Sequence, residues 1–67
     1  MSLRDPSIAT AVREARRNRG WTLKALALRL GISPDLLQKI ELGTATPDPE
    51  LLKNIRAWLA DANARLE

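Results

Sequence analysis

Seven cations crowd the stretch from Arg13 to Lys39: Arg13, Arg16, Arg17, Arg19, Lys24, Arg29 and Lys39 face only Glu14 and Asp35, a local charge of +5. From Ile40 onward, Lys53, Arg56 and Arg65 stand against Glu41, Asp48, Glu50, Asp61 and Glu67, a local charge of −2. A cationic surface set apart in this way can neutralise phosphates, so the first of these segments is a candidate nucleic-acid face. The plain alternative is a solvated helix surface. Covalent chemistry is poorly supplied, because the chain has no histidine and no cysteine. The commonest general base and the commonest soft and borderline metal ligands are therefore missing. The carboxylates and hydroxyls that remain form no constellation. Neither an enzyme nor a metal or cofactor site is expected.

The elements that must position these charges are helices, and their ends are written plainly. Asp5-Pro6, Ser33-Pro34 and Asp48-Pro49 each put proline at a first helical position, behind a side chain whose oxygen can accept from the next turn's free amides. Thr22 can cap the remaining helix. Gly20, Gly31 and Gly43 each follow an apolar-periodic run and can take the left-handed conformation that closes a helix. The reading is helix 1 from about 6 to 19, helix 2 over 23–30, helix 3 over 34–42 and helix 4 from 49 to about 66, with no strand. Ile8, Val12 and Ala15 turn inward on the first; Leu23, Leu26, Ala27 and Leu30 on the second; Leu37 and Ile40 on the third; Leu52, Ile55, Leu59, Ala62 and Leu66 on the fourth. Trp21, just before helix 2, is expected to plug the core.

A chain of 67 residues has room for one domain, 1–67, with one core. A domain this small buries only about 60% of the surface its unfolded chain exposes, so it gains from a partner subunit. The longest apolar run, Ala25 to Leu30, is interrupted by Arg29 and is far too short to cross a bilayer; nor is there a signal-peptide core at the N-terminus. No membrane association is expected, and a cytoplasmic location is.

Helices 2 and 3 are separated only by Gly31-Ile32-Ser33, a turn so short that the two must cross steeply. That is helix-turn-helix geometry, with the motif spanning 22–43. Helix 3 would be pushed outward, slim enough to enter a major groove.

The residues that fill this frame, Arg13-Glu14-Ala15-Arg16, Gly20-Trp21-Thr22, Leu26-Ala27, Leu30-Gly31-Ile32-Ser33, Leu37, Ile40-Glu41, Gly43 and Pro47, resemble the Cro and phage-repressor (XRE-type) helix-turn-helix family over residues 8 to 59. The resemblance implies an all-α, lambda-repressor-like bundle of four or five helices. It also implies a homodimer on double-stranded DNA, in a bacterial or phage setting. The function that follows is a sequence-specific transcriptional regulator, a repressor or autorepressor on a near-palindromic operator. A protein-interaction module, antitoxin-like or a phage adaptor, is the alternative. With no sensor domain in view, no small-molecule effector is expected.

By the same resemblance Pro34, Asp35, Leu36, Gln38 and Lys39 sit where a recognition helix approaches base edges. Gln38 suits adenine or a phosphate, Lys39 guanine or a phosphate, Asp35 the cytosine amino group, and Leu36 a thymine methyl. Asp35 equally suits reinforcement of the helix N-terminus. Phosphates would be held by the amide ends at Thr22 and Leu23 and by Lys24, Thr44 and Thr46. For Thr22 capping comes first. Arg13 and Arg17 are further candidates, though a solvated face also explains them. Arg16 and Glu41 are implied to be an ion pair between helices 1 and 3, hence fold residues rather than DNA contacts.

Two positions depart from the family pattern. Leu23 stands where glutamine is common and Leu36 where a hydroxyl residue is common, and Pro34 extends the apolar strip. Either Leu23 packs on Pro34 or Leu36 as an apolar brace, or the surface is turned toward a protein partner. Leu28 falls opposite the buried stripe of helix 2. Along helix 4, Leu51 and Trp58 form a second stripe, and with Leu66 they are the expected dimer contact, in a dimerisation segment over 49–67. The other reading has Trp58 covering the side of helix 1.

Overall fold

Side chains catch the free amides at three helix starts. Thr22 Oγ1 accepts from the Ala25 N–H at 3.0 Å, Ser33 Oγ from the Leu36 N–H at 3.1 Å, and Asp48 Oδ1 from the Leu51 N–H at 2.8 Å. In this computed structural model, which describes residues 7–61, four helices follow: α1 (Ser7–Asn18), α2 (Leu23–Leu30), α3 (Pro34–Leu42) and α4 (Pro49–Ala60). The Asp5-Pro6 start lies outside the described residues. Among the described residues there is no strand, and no helix is long and apolar enough to cross a membrane.

The first three helices close alike. After α2, Gly31 takes φ +77°, its N–H reaches the Leu28 carbonyl at 3.2 Å, and the Ile32 N–H reaches back to the Ala27 carbonyl at 2.9 Å. This double closure satisfies carbonyls that a helix end leaves orphaned, and glycine takes the left-handed conformation without strain. Because Ser33 then opens α3 at once, the turn has no slack. The sharp corner between α2 and α3 follows from that lack of slack.

Val12, Leu26, Ala27, Leu30, Leu37, Ile40, Leu51, Ile55 and Trp58 form the core, with Ile8, Ala15, Trp21, Leu23, Ile32, Ala45 and Leu59 packed against it. Helix α4 is turned differently from the expectation. Leu51, Ile55 and Trp58 are buried, while Leu52 and Leu59 are half-buried. The helix has rotated by about 60° relative to the 52/55/59 face, as the 100° step per residue requires. The physical reason is Trp58, the largest of the fully buried side chains among the described residues. It meets Trp21 edge to face, with centroids 5.8 Å apart and planes at 88°.

Two of the three expected dimer contacts are thereby corrected. Leu51 and Trp58 are core residues of the single chain, and neither is presented to a partner. Leu66 lies outside the described residues, as does Ala62. The expected run of helix 4 to about 66 is also shortened, since the helix ends at Ala60.

Arg19 explains that end. Its guanidinium donates to the Trp58 carbonyl at 2.8 Å and the Leu59 carbonyl at 3.0 Å, and its carbon lies 4.7 Å from the centroid of the Trp58 ring. A cation at a helix C-terminus answers both the orphan carbonyls and the negative end of the dipole. Arg19→Ala is expected to lower the unfolding free energy by about 1.5–3 kcal/mol, the range for hydrogen bonds made by a charged group. Arg19→Lys, which keeps the charge but loses the fork, should recover part of that loss. Urea unfolding of the two variants side by side checks this.

Candidate nucleic-acid interface

The face that α3 shows to solvent is set by the face it buries. Leu37, Ile40 and Glu41 point inward, which leaves Pro34, Asp35, Leu36, Gln38 and Lys39 exposed. Asp35, Gln38 and Lys39 lie within one turn on the same side, so they approach any flat surface together.

Among the described residues Glu41 is the polar exception in the core, and its ion pair helps hold α3 in this orientation. Arg16 Nε donates to Glu41 Oε2 at 2.7 Å and Arg16 Nη2 to Glu41 Oε1 at 3.1 Å, a bidentate fork. The third nitrogen, Nη1, donates to the Trp21 carbonyl at 3.0 Å. One guanidinium thus ties α1, the α1–α2 turn and α3 together. With side chains only 13% and 5% exposed, the pair is shielded from water, and its geometry satisfies the buried charges.

The remaining candidates are arranged around this frame. Thr22 is exposed at the start of α2 with its hydroxyl engaged as the cap. Lys24 is exposed beside it, while Leu23 is half-buried and packs on the core. Leu23 therefore offers its backbone amide rather than its side chain, and the exposed apolar strip shrinks to Pro34 and Leu36. At the other end of α3, Thr44 Oγ1 donates to the Lys39 carbonyl at 3.2 Å, and Thr46 is exposed in the following loop. On α1, Arg17 is exposed and Arg13 half-buried.

Of the seven cations between Arg13 and Lys39, Arg16 and Arg19 are spent on the fold. Lys39 Nζ lies 3.5 Å from Asp35 Oδ2, an exposed pair one helical turn apart. Arg13, Arg17, Lys24 and Arg29 carry the positive potential that is left. Sequence reasoning missed Leu42, which is 62% exposed and lies seven residues, two turns, beyond Asp35 on the same face. That spacing was available as a signal. Leu28, 82% exposed on α2, is outward as its position in the helix requires.

A Helix-turn-helix family model matches residues 12–57, from Val12 in α1 to Ala57 in α4. The chain belongs to the XRE-type helix-turn-helix family. That is a family of DNA-binding domains, and α2, the tight turn and α3 are its motif here. Multiprotein-bridging factor 1 of Eremothecium gossypii is 35% identical over 55 residues, covering 82% of this chain and 36% of that protein. The chain spans little more than a third of that relative's length. No solved structure matches it.

Proposed function

We propose that this helix-turn-helix chain is a sequence-specific transcriptional regulator, a repressor or autorepressor that binds a near-palindromic operator as a homodimer. The observation that carries the reading is the outward set of Asp35, Gln38 and Lys39, held in place by the buried Arg16–Glu41 fork. In this reading the N-terminal half of α3 enters the major groove. The start of α2, with the loop residues Thr44 and Thr46, bears on phosphates. Two copies would place their α3 helices about one helical turn of DNA apart, roughly 34 to 36 Å. With Leu51 and Trp58 inside the chain, the dimer contact falls to other residues of 49–67.

A second reading draws on the relative named as a multiprotein-bridging factor and on the exposed Leu28, Leu36 and Leu42. In it the same corner docks on a protein. Leu36→Lys separates the two. On the groove-facing side of α3 an added cation is expected to be tolerated or to raise the non-specific part of duplex binding, whereas in an apolar interface it would abolish binding. Fluorescence anisotropy on duplexes selected from a random library is the measurement. Retained duplex binding by the variant supports the regulator, and failure to select any duplex supports the protein-docking module.

A further inference from the structure

We infer that Asp35 and Lys39 act as a single reading head for one base pair, with Lys39 on the purine of a G·C pair and Asp35 on its cytosine. The inference rests on α3 entering the major groove. Its own evidence is the 3.5 Å separation of Lys39 Nζ and Asp35 Oδ2, with the side chains 58% and 75% exposed.

A Watson–Crick G·C pair shows the major groove a carbonyl oxygen, O6, hydrogen-bonded to an amino group, N4. These two atoms are about 2.9 Å apart, the ordinary N–H···O distance. The ion pair presents the complementary order at nearly the same spacing, three ammonium donors beside a carboxylate that only accepts. The spacing lets both heads meet one base pair instead of two neighbours.

The pair also carries no net charge. Beside Asp35, Lys39 adds less to general phosphate attraction than a lone lysine would, and a carboxylate brought to DNA is repelled unless an amino group receives it. Asp35 works as a filter as well as a contact, because it penalises sequences that offer no donor.

This chemistry sets a rank order at that position. G·C is best, because lysine meets both O6 and N7. T·A, with thymine facing Lys39, keeps an acceptor for lysine and an amino group for aspartate but lacks the second acceptor. A·T and C·G both place an amino group against the ammonium and an oxygen acceptor against the carboxylate; adenine still offers N7 to lysine, so C·G ranks last. The gap between G·C and C·G should be on the order of 10- to 100-fold in affinity, the range for one well-read base pair.

The test is selection of a binding site with the full 67-residue chain, followed by affinity measurements on all four base pairs at each position. Wild type, Asp35→Asn and Lys39→Met are compared across a salt series, and circular dichroism confirms that each exposed substitution leaves the fold intact. The inference predicts that both variants relax the same base pair, in the stated order, and that Lys39→Met leaves the salt dependence nearly unchanged. It is overturned if the two variants relax different positions. It is also overturned if Lys39→Met weakens every sequence alike and lowers the salt slope by about one, the mark of a phosphate contact. In both cases the regulator reading survives; failure to select any duplex removes both.

Discussion

Arg16→Ala is expected to lower the unfolding free energy by about 3 to 5 kcal/mol, the cost of leaving one member of a buried pair without its partner. A single core in a domain below about 70–80 residues rarely supplies more than about 3–5 kcal/mol, so the variant should be largely unfolded. The asymmetry between the partners sharpens the prediction. Without Arg16, the Glu41 carboxylate is left 5% exposed with no counterion and too short a stem to reach water. Without Glu41, Arg16 keeps its bond to the Trp21 carbonyl and has a long stem that can turn its head outward. Glu41→Ala should therefore cost less than Arg16→Ala. The double substitution Arg16→Met with Glu41→Leu should cost less than either alone, because no buried charge remains. Urea unfolding of the three variants decides this, and a double variant less stable than either single one would contradict it.

Trp58→Ala is expected to cost a similar amount, about 3 to 5 kcal/mol, the range for deleting a buried aromatic ring. The ring is fully buried, packs edge to face on Trp21 and lies under the Arg19 guanidinium. Its loss removes both contacts and opens a cavity in the core. Trp58→Phe should be much milder. It keeps a ring against Trp21 and removes the indole N–H, which is buried without a hydrogen-bond acceptor among the described residues. Thermal melts at several protein concentrations separate this account from the interface reading. A core residue lowers the midpoint at every concentration, whereas an exposed interface anchor would weaken association and leave the dilute chain's midpoint unchanged.

The contrast between these two residues shows what was legible in the chain. The capping residues Thr22, Ser33 and Asp48 and the glycines at 31 and 43 act over three or four residues, so the starts of α2, α3 and α4, the ends of α2 and α3 and the tight turn between them could be read directly. The outward face of α3 was equally legible, since Leu37 and Ile40 fix its phase. The rotation of α4 was not. Its two apolar stripes share Ile55, and periodicity cannot rank them when the deciding contact is a tryptophan meeting another ring 37 positions earlier. Arg19 was hidden for a related reason. An arginine at the end of a basic helix looks like part of a charged surface, and the carbonyls it caps lie 39 and 40 residues away. Local rules placed the outward face of α3, while the contacts that hold it depend on packing between distant segments.

The central claim is that the corner made by α2 and α3 brings its cations onto duplex DNA. The most direct measurement is the affinity of the whole chain for its selected duplex across a range of salt concentrations. If four to six phosphates are neutralised, the logarithm of the association constant should fall against the logarithm of salt with a slope of about −3.6 to −5.4. A flat response, with binding unchanged as salt rises, would contradict the account.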